Sequence, residues 1–171
     1  FYNQLIYNEP DQELDFFSGE VNLRCNIQGS SVSLDQEIAL NLDIVEYGGC
    51  GATPSIHVSV FDPLTFEYWG TSWEGQNPDN SFGNVNSGAN CRNRVEYYFI
   101  FRQNSENQMN GFDNMVLNEV PDGHYILIYT WRYIVQQNLS TTSFYNTMNE
   151  LGATIDLTAM DSIPYMVLIK K

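Results

Sequence analysis

Alternation of apolar and polar residues with a period of two constrains this chain more than any other feature. The run Ser55-Ile-His-Val-Ser-Val-Phe61 puts Ile56, Val58 and Val60 on an inward face and His57 on the outward one. Residues 38–46 alternate in the same way, with Ile38, Leu40, Leu42 and Ile44 on one side. Successive side chains of a strand point to opposite faces, so this period fits a pleated sheet and not the 3.6-residue stripe of a helix. Further runs of the same kind occur at 20–25, 31–34, 66–72, 95–102, 115–117, 125–134, 154–157 and 165–169. Turn formers such as Asp62-Pro63 and Asp122-Gly123 separate them. The N-terminal Phe1-Tyr-Asn-Gln-Leu-Ile-Tyr7 is expected to be an edge strand, and one short helical piece is expected at 146–151, ended by Gly152.

Eleven Tyr, ten Phe and three Trp reinforce the strand reading, because aromatic side chains pack well on pleated surfaces. The expected fold is all-β, an immunoglobulin/fibronectin-III-like β-sandwich with long loops, built as a single domain over residues 1–171. The longest loop is 75–93 (GQNPDNSFGNVNSGANCRN), nearly all turn formers and too long for an ordinary hairpin. It is read as a surface excursion and a candidate binding loop.

Charge excludes one class of partner. With 21 acidic residues against seven basic ones the net charge is −14, and such a field repels phosphate backbones, so no nucleic acid is expected as a partner. No apolar run is long enough for a membrane span. Three cysteines without CxxC spacing argue against a zinc finger. A disulfide between Cys50 and Cys91 is expected, pinning the polar loop and leaving Cys25 over. One bridge with one leftover thiol fits an exported protein; three buried thiols would fit a cytosolic one. Asn138-Leu-Ser140 is a glycosylation sequon lying between strand candidates. With the low lysine content these features favour a secreted, extracellular protein.

The order of several motifs resembles the lytic polysaccharide monooxygenases, secreted copper proteins that cut chitin or cellulose. The carrying segments are Val45-Glu-Tyr-Gly-Gly-Cys50, Pro54-Ser-Ile-His-Val-Ser-Val-Phe-Asp62, Asp122-Gly-His-Tyr-Ile-Leu-Ile-Tyr-Thr-Trp131, and Ser143-Phe-Tyr-Asn146 followed by Ala153-Thr-Ile-Asp-Leu157. The resemblance covers residues 20 to 158 loosely. It implies a β-sandwich and a copper site made by an N-terminal His, a second His, an axial aromatic and a Gln or Glu. Those positions fall on Phe1, Tyr47, Tyr145 and Ser143. Only the axial aromatic, Tyr145, survives. Phenylalanine offers no ligand atom and tyrosine is no neutral nitrogen donor, so the resemblance implies a scaffold without the copper brace.

Other chemistry is weakly signalled. No Gly-x-Ser-x-Gly elbow, HExxH or P-loop is present, and no catalytic residue, metal or cofactor is assigned. His57 and His124 stand apart in sequence. Asp11-Gln-Glu-Leu-Asp15 and Asn77-Pro-Asp79-Asn80 read as solvated acidic loops rather than calcium loops. Tyr68, Trp69 and Trp73 precede the long polar loop and are the candidates for stacking on sugar rings, with core packing as the competing reading. The expected function is therefore non-catalytic binding of a polysaccharide or extracellular-matrix component. The alternatives are a self-associating structural subunit of a filament or coat, and a copper monooxygenase whose N-terminal histidine lies upstream.

Overall fold

A computed structural model describes residues 4–8, 13–18, 21–29, 34–40, 43–47, 53–70, 82–83, 97–153, 156 and 159–171. The described chain is mostly sheet with few helices. Five strands form an antiparallel meander in sequence order: β1 (Gln4–Asn8), β2 (Glu13–Ser18), β3 (Val21–Gly29), β4 (Leu34–Leu40) and β5 (Asp43–Tyr47). The N-terminal run is thus an edge strand, as its pattern suggests. The single strand expected over 38–46 is instead two: Leu40 pairs with Asp43, so the chain reverses across residues 41–42. Alternation carries no information about where a strand folds back.

A second antiparallel sheet has the order β7-β6-β8-β9, with β6 (Ser55–Phe61), β7 (Phe99–Arg102), β8 (Tyr125–Trp131) and β9 (Met166–Lys170). Its central pair runs in full register from Ser55↔Trp131 to Phe61↔Tyr125. Both faces of this sheet are covered. On one face Phe61, Leu127 and Tyr129 share a core cluster with Leu23, Cys25 and Ile38 of the five-stranded sheet. On the other, Ile56, Val58, Val60, Phe99, Phe101, Ile126 and Ile128 pack under a helical layer. The four-stranded sheet is therefore the middle of three layers.

That helical layer departs most from the sequence expectation. It comprises α1 (Glu106–Asn114), a π-helical segment (Met115–Glu119), α2 (Gln136–Leu139) and α3 (Phe144–Glu150). The strand expected at 115–117 is the π-helical continuation of α1. Its apolar residues recur at helical spacing, Met109, Phe112, Met115 and Val116 being buried against the sheet. Asn and Gly lower the helix propensity of α1, so packing holds it rather than local preference. The helical piece expected near 146–151 corresponds to α3, which begins two residues earlier, at Phe144. The strand expected at 66–72 reduces to one isolated bridge, Phe61↔Tyr68. Asp62 closes that turn, its carboxylate accepting the N–H groups of Leu64 (2.8 Å) and Thr65 (2.9 Å). Most of the strand expected at 154–157 lies outside the described residues.

Candidate functional site

Between β6 and β7, residues 71–81 and 84–96 lie outside the described residues, and the described positions that flank and interrupt them are Tyr68, Phe82, Gly83 and Tyr97. Both feet of that connection are held by aromatic contacts. Tyr68 stacks on Tyr97 with centroids 4.9 Å apart and planes 19° apart, and on its other side meets Phe61 at 4.6 Å. Midway, Phe82 sits edge-on to Phe99 at 5.9 Å. Gly83 next to it has φ +70°, and a Cβ there would collide with the carbonyl oxygen of Ile100. Only glycine combines that backbone angle with so close an approach to β7. Tyr68, Tyr97 and the Phe82-Gly83 pair thus all pack against residues of the central sheet or against one another.

The sugar-stacking candidates do not form one platform. Tyr68 packs against the inter-sheet cluster, whereas Trp69 packs against the helix-facing one, as neighbours on an extended segment must. Trp69 meets His124 edge-on at 5.9 Å. Trp73 lies outside the described residues, as do Cys50 and Cys91. Cys25 is buried between the sheets.

The positions carried over from the monooxygenase resemblance separate. Tyr47 ends β5 in the five-stranded sheet. Ser143 and Tyr145 lie at the start of α3, on the opposite side of the central sheet, and Phe1 is outside the described residues. Ser143 donates its hydroxyl hydrogen bond to the Asp113 carboxylate, which also accepts from Thr147 Oγ1 at 2.6 Å. The Ser143 position thus serves to join α1 to α3. Tyr145 is 44% exposed on the helical layer. The described brace positions do not meet.

His57 is not outward to solvent: its exposure is 0%. It does lie on the face opposite Ile56, Val58 and Val60, but that face is roofed by the second sheet. Period-two alternation identifies the two faces without saying whether one of them is wet. Its ring stacks near-parallel to Tyr98 (5.2 Å, 17°) and Trp131 (5.7 Å, 11°) and meets Tyr129 edge-on at 5.3 Å. These rings come from β8 and from the entry to β7, so an aromatic row crosses the middle of the sheet. Ser55 Oγ lies 3.1 Å from His57 Nε2. A serine and a histidine in contact suggest a nucleophile pair, but burial of both under a second sheet denies a substrate access. Two positions on, the buried hydroxyl of Ser59 has no hydrogen-bond partner among the described residues.

His124 stands five positions before Tyr129 on the same chain segment, and Tyr129 is the register partner of His57. At a strand rise of about 3.3 Å per residue the two histidines are roughly 17 Å apart. Among the described residues no group of three or more His, Cys, Asp or Glu side chains could hold a metal ion. Asp62, beside His124, has its carboxyl held below the usual carboxylate range, first by the Thr65 and Leu64 N–H groups it accepts. Burial pushes the Tyr165 phenol well above its ordinary value.

Sequence reasoning misses two polar fixtures. Gln103, buried, donates Nε2 to the Tyr133 carbonyl (2.8 Å) and accepts the Val135 N–H (2.8 Å), joining the end of β7 to the chain after β8. Lys171 donates Nζ to the carbonyls of Leu117 (2.7 Å) and Val120 (2.6 Å), closing the exposed end of the π-helical segment. Neither carries a local sequence signal, because both bridge distant segments. No helix among the described residues is long and apolar enough to cross a membrane. No protein-family model matches this sequence, and no curated protein matches it.

Proposed function

We propose that the chain is an extracellular, non-catalytic binding module that holds a glycan or matrix polysaccharide through residues 71–96. The carrying observation is the Tyr68–Tyr97 stack, which brings both ends of that segment side by side on the central sheet. A binding loop set on a rigid sheet loses less freedom when it engages a ligand. The segment is rich in Asn, Ser and Gly, whose amides and hydroxyls suit the hydroxyl groups of sugars, and Trp73 supplies a ring for stacking. Polar groups elsewhere, the half-buried Asp113 and the buried Gln103 and Ser55–His57 pair, are engaged in hydrogen bonds within the fold. Two antiparallel sheets sharing a core support a β-sandwich as the architecture; the meander order and the segregation of strands by sheet differ from the Greek-key connections of an immunoglobulin/fibronectin-III-like sandwich.

The test is retention of the full chain on insoluble chitin, cellulose and other matrix polysaccharides. Retention of the wild type, with loss in Trp73→Ala and weakening in Tyr68→Ala, is the expected result. No retention on any of them sinks the reading. A second reading, self-association as a structural subunit, is favoured by β1, an edge strand with a partner on one side only among the described residues. Light scattering after size exclusion decides it: a monomer at every concentration argues against assembly.

A further inference from the structure

We propose that Asn138 is an acceptor for an N-linked glycan, displayed on the outer surface of the helical layer. The idea rests on the extracellular reading above only in requiring export. Asn138 heads the one Asn-x-Ser/Thr tripeptide in the chain; no other asparagine has Ser or Thr two positions on. The motif alone is common by chance, and its placement adds the discriminating information.

The sequon lies on α2, whose Leu139 is fully buried in the helix-facing core. Asn138, about 100° round the helix from Leu139, is half-exposed, and Gln137, Ser140 and Thr141 beside it are half-exposed or exposed and polar. Backbone bonds fix the turn: Asn138 N–H donates to Val135 O (3.0 Å), and Thr141 Oγ1 donates to Asn138 O (2.9 Å). The side-chain amide of Asn138 makes no hydrogen bond among the described residues, so a glycan on its nitrogen removes nothing that holds the fold. Attachment on the helical layer also places the sugar across the central sheet from the inter-sheet cluster to which Tyr68 and Tyr97 belong. The glycan would therefore leave the feet of the binding segment clear.

The step is a glycosyl transfer from a sugar donor activated as a pyrophosphate. A bond forms between the Asn138 amide nitrogen and the anomeric carbon, the bond from that carbon to the pyrophosphate oxygen breaks, and the pyrophosphate leaves with the electron pair. One amide proton passes to a base of the transferase. Ser140, two residues on, supplies the hydroxyl that the acceptor motif requires.

The experiment is translation of the full chain behind a cleavable signal sequence in the presence of endoplasmic-reticulum microsomes, followed by protease protection. The expected result is a single-glycan mass increase on the protected chain, reversed by peptide N-glycosidase. Asn138→Gln and Ser140→Ala should abolish it, and Ser140→Thr should retain it. A protected wild-type chain at bare polypeptide mass overturns the proposal, as does an increase that survives Asn138→Gln. The glycosylated chain should also melt with the stripped chain, and misfolding confined to the glycosylated form would overturn it too. Because polysaccharide retention is measured on unglycosylated chain, failure of this proposal and failure of the binding reading are separately visible.

Discussion

The two faces of the central sheet are built from the same strands and packed by different rules. On the helix-facing side, Ile56, Val58, Val60, Ile126 and Ile128 share one apolar cluster with Met109, Phe112, Phe144 and Met148. On the inter-sheet side the same strands present Ser55, His57, Ser59, Leu127, Tyr129 and Trp131, where hydroxyl and imidazole groups are buried among aromatic rings. The first face is held mainly by apolar burial, which is non-directional and tolerates exchange of similar shapes, with Thr130 Oγ1, beside Ile56, accepting the Tyr165 N–H. The second depends on which polar atom meets which ring, so it resists substitution differently. One face supplies the bulk of the stability, and the other fixes how the second sheet sits.

The largest expected effect tests the apolar face. Phe112 meets Phe101 edge-on at 5.6 Å and Phe144 at 5.4 Å, joining α1, α3 and β7. Phe112→Ala should lower unfolding free energy by about 3–5 kcal/mol, read from urea denaturation. A loss below about 1 kcal/mol would mean that the helical layer is not packed as described. On the opposite face, His57→Leu keeps the bulk but strips Ser55 of its imidazole partner and the row of its central ring. The expected loss is about 1–3 kcal/mol. Should this variant instead be more stable than wild type, the inter-sheet face behaves like the apolar one and the contrast collapses.

What the sequence reveals and what it hides follows the same divide. The strand Ser55–Phe61 is legible to the residue, because strict alternation of Ile56, Val58 and Val60 has no helical equivalent. The burial of His57 is not legible, since Tyr98, Tyr129 and Trp131, whose rings surround it, are remote in sequence, as are Leu23, Cys25 and Ile38, which pack on the same face of the sheet. The helix α1 is hidden for another reason: Asn107, Asn110 and Gly111 carry the local signal of a loop, and only the spacing of Met109, Phe112 and Val116 reveals a buried stripe. Of the candidate binding segment, composition gives the polar excursion. The clamp between Tyr68 and Tyr97 escapes because its two members are separated by the whole of it.

A smaller effect, of opposite sign, comes from Ser59. Its hydroxyl is buried and has no hydrogen-bond partner among the described residues. Removing a buried hydroxyl that makes no bond relieves a desolvation cost, so Ser59→Ala should raise stability by roughly 1 kcal/mol, visible as a higher melting temperature. A loss of that size would show that the hydroxyl is bonded after all. The alkaline limb gives a related check on Tyr165, whose folded-state phenol is pushed up by burial. A raised pKa means stability that is intact below the ordinary tyrosine value of 10.0 and falls as pH rises past it. Tyr165→Phe should flatten that fall in denaturation curves measured between about pH 9 and 11.

The smallest expected effect lies at the rim, where neither face reaches. Asp62 holds the turn after β6 by accepting the N–H groups of Leu64 and Thr65 in full solvent, beside a Leu64 that is 88% exposed. Those N–H groups favour the ionised carboxylate and hold its pKa below the ordinary 3.8. For a depressed carboxyl the sign is the reverse of the tyrosine case. Its contribution is complete above pH 3.8 and disappears as pH falls below that value towards the folded pKa. Asp62→Asn should therefore leave stability at neutral pH nearly unchanged and remove part of its decline in acid, measured as unfolding midpoints from pH 5 down to 2. An acid limb identical in the variant and the wild type would mean that the turn draws nothing from the charge, and that Asp62 Oδ1 serves only as a neutral acceptor. The two-faced sheet would stand unaltered by that result, because the bonds at this rim close a turn beyond the end of β6 and touch neither cluster.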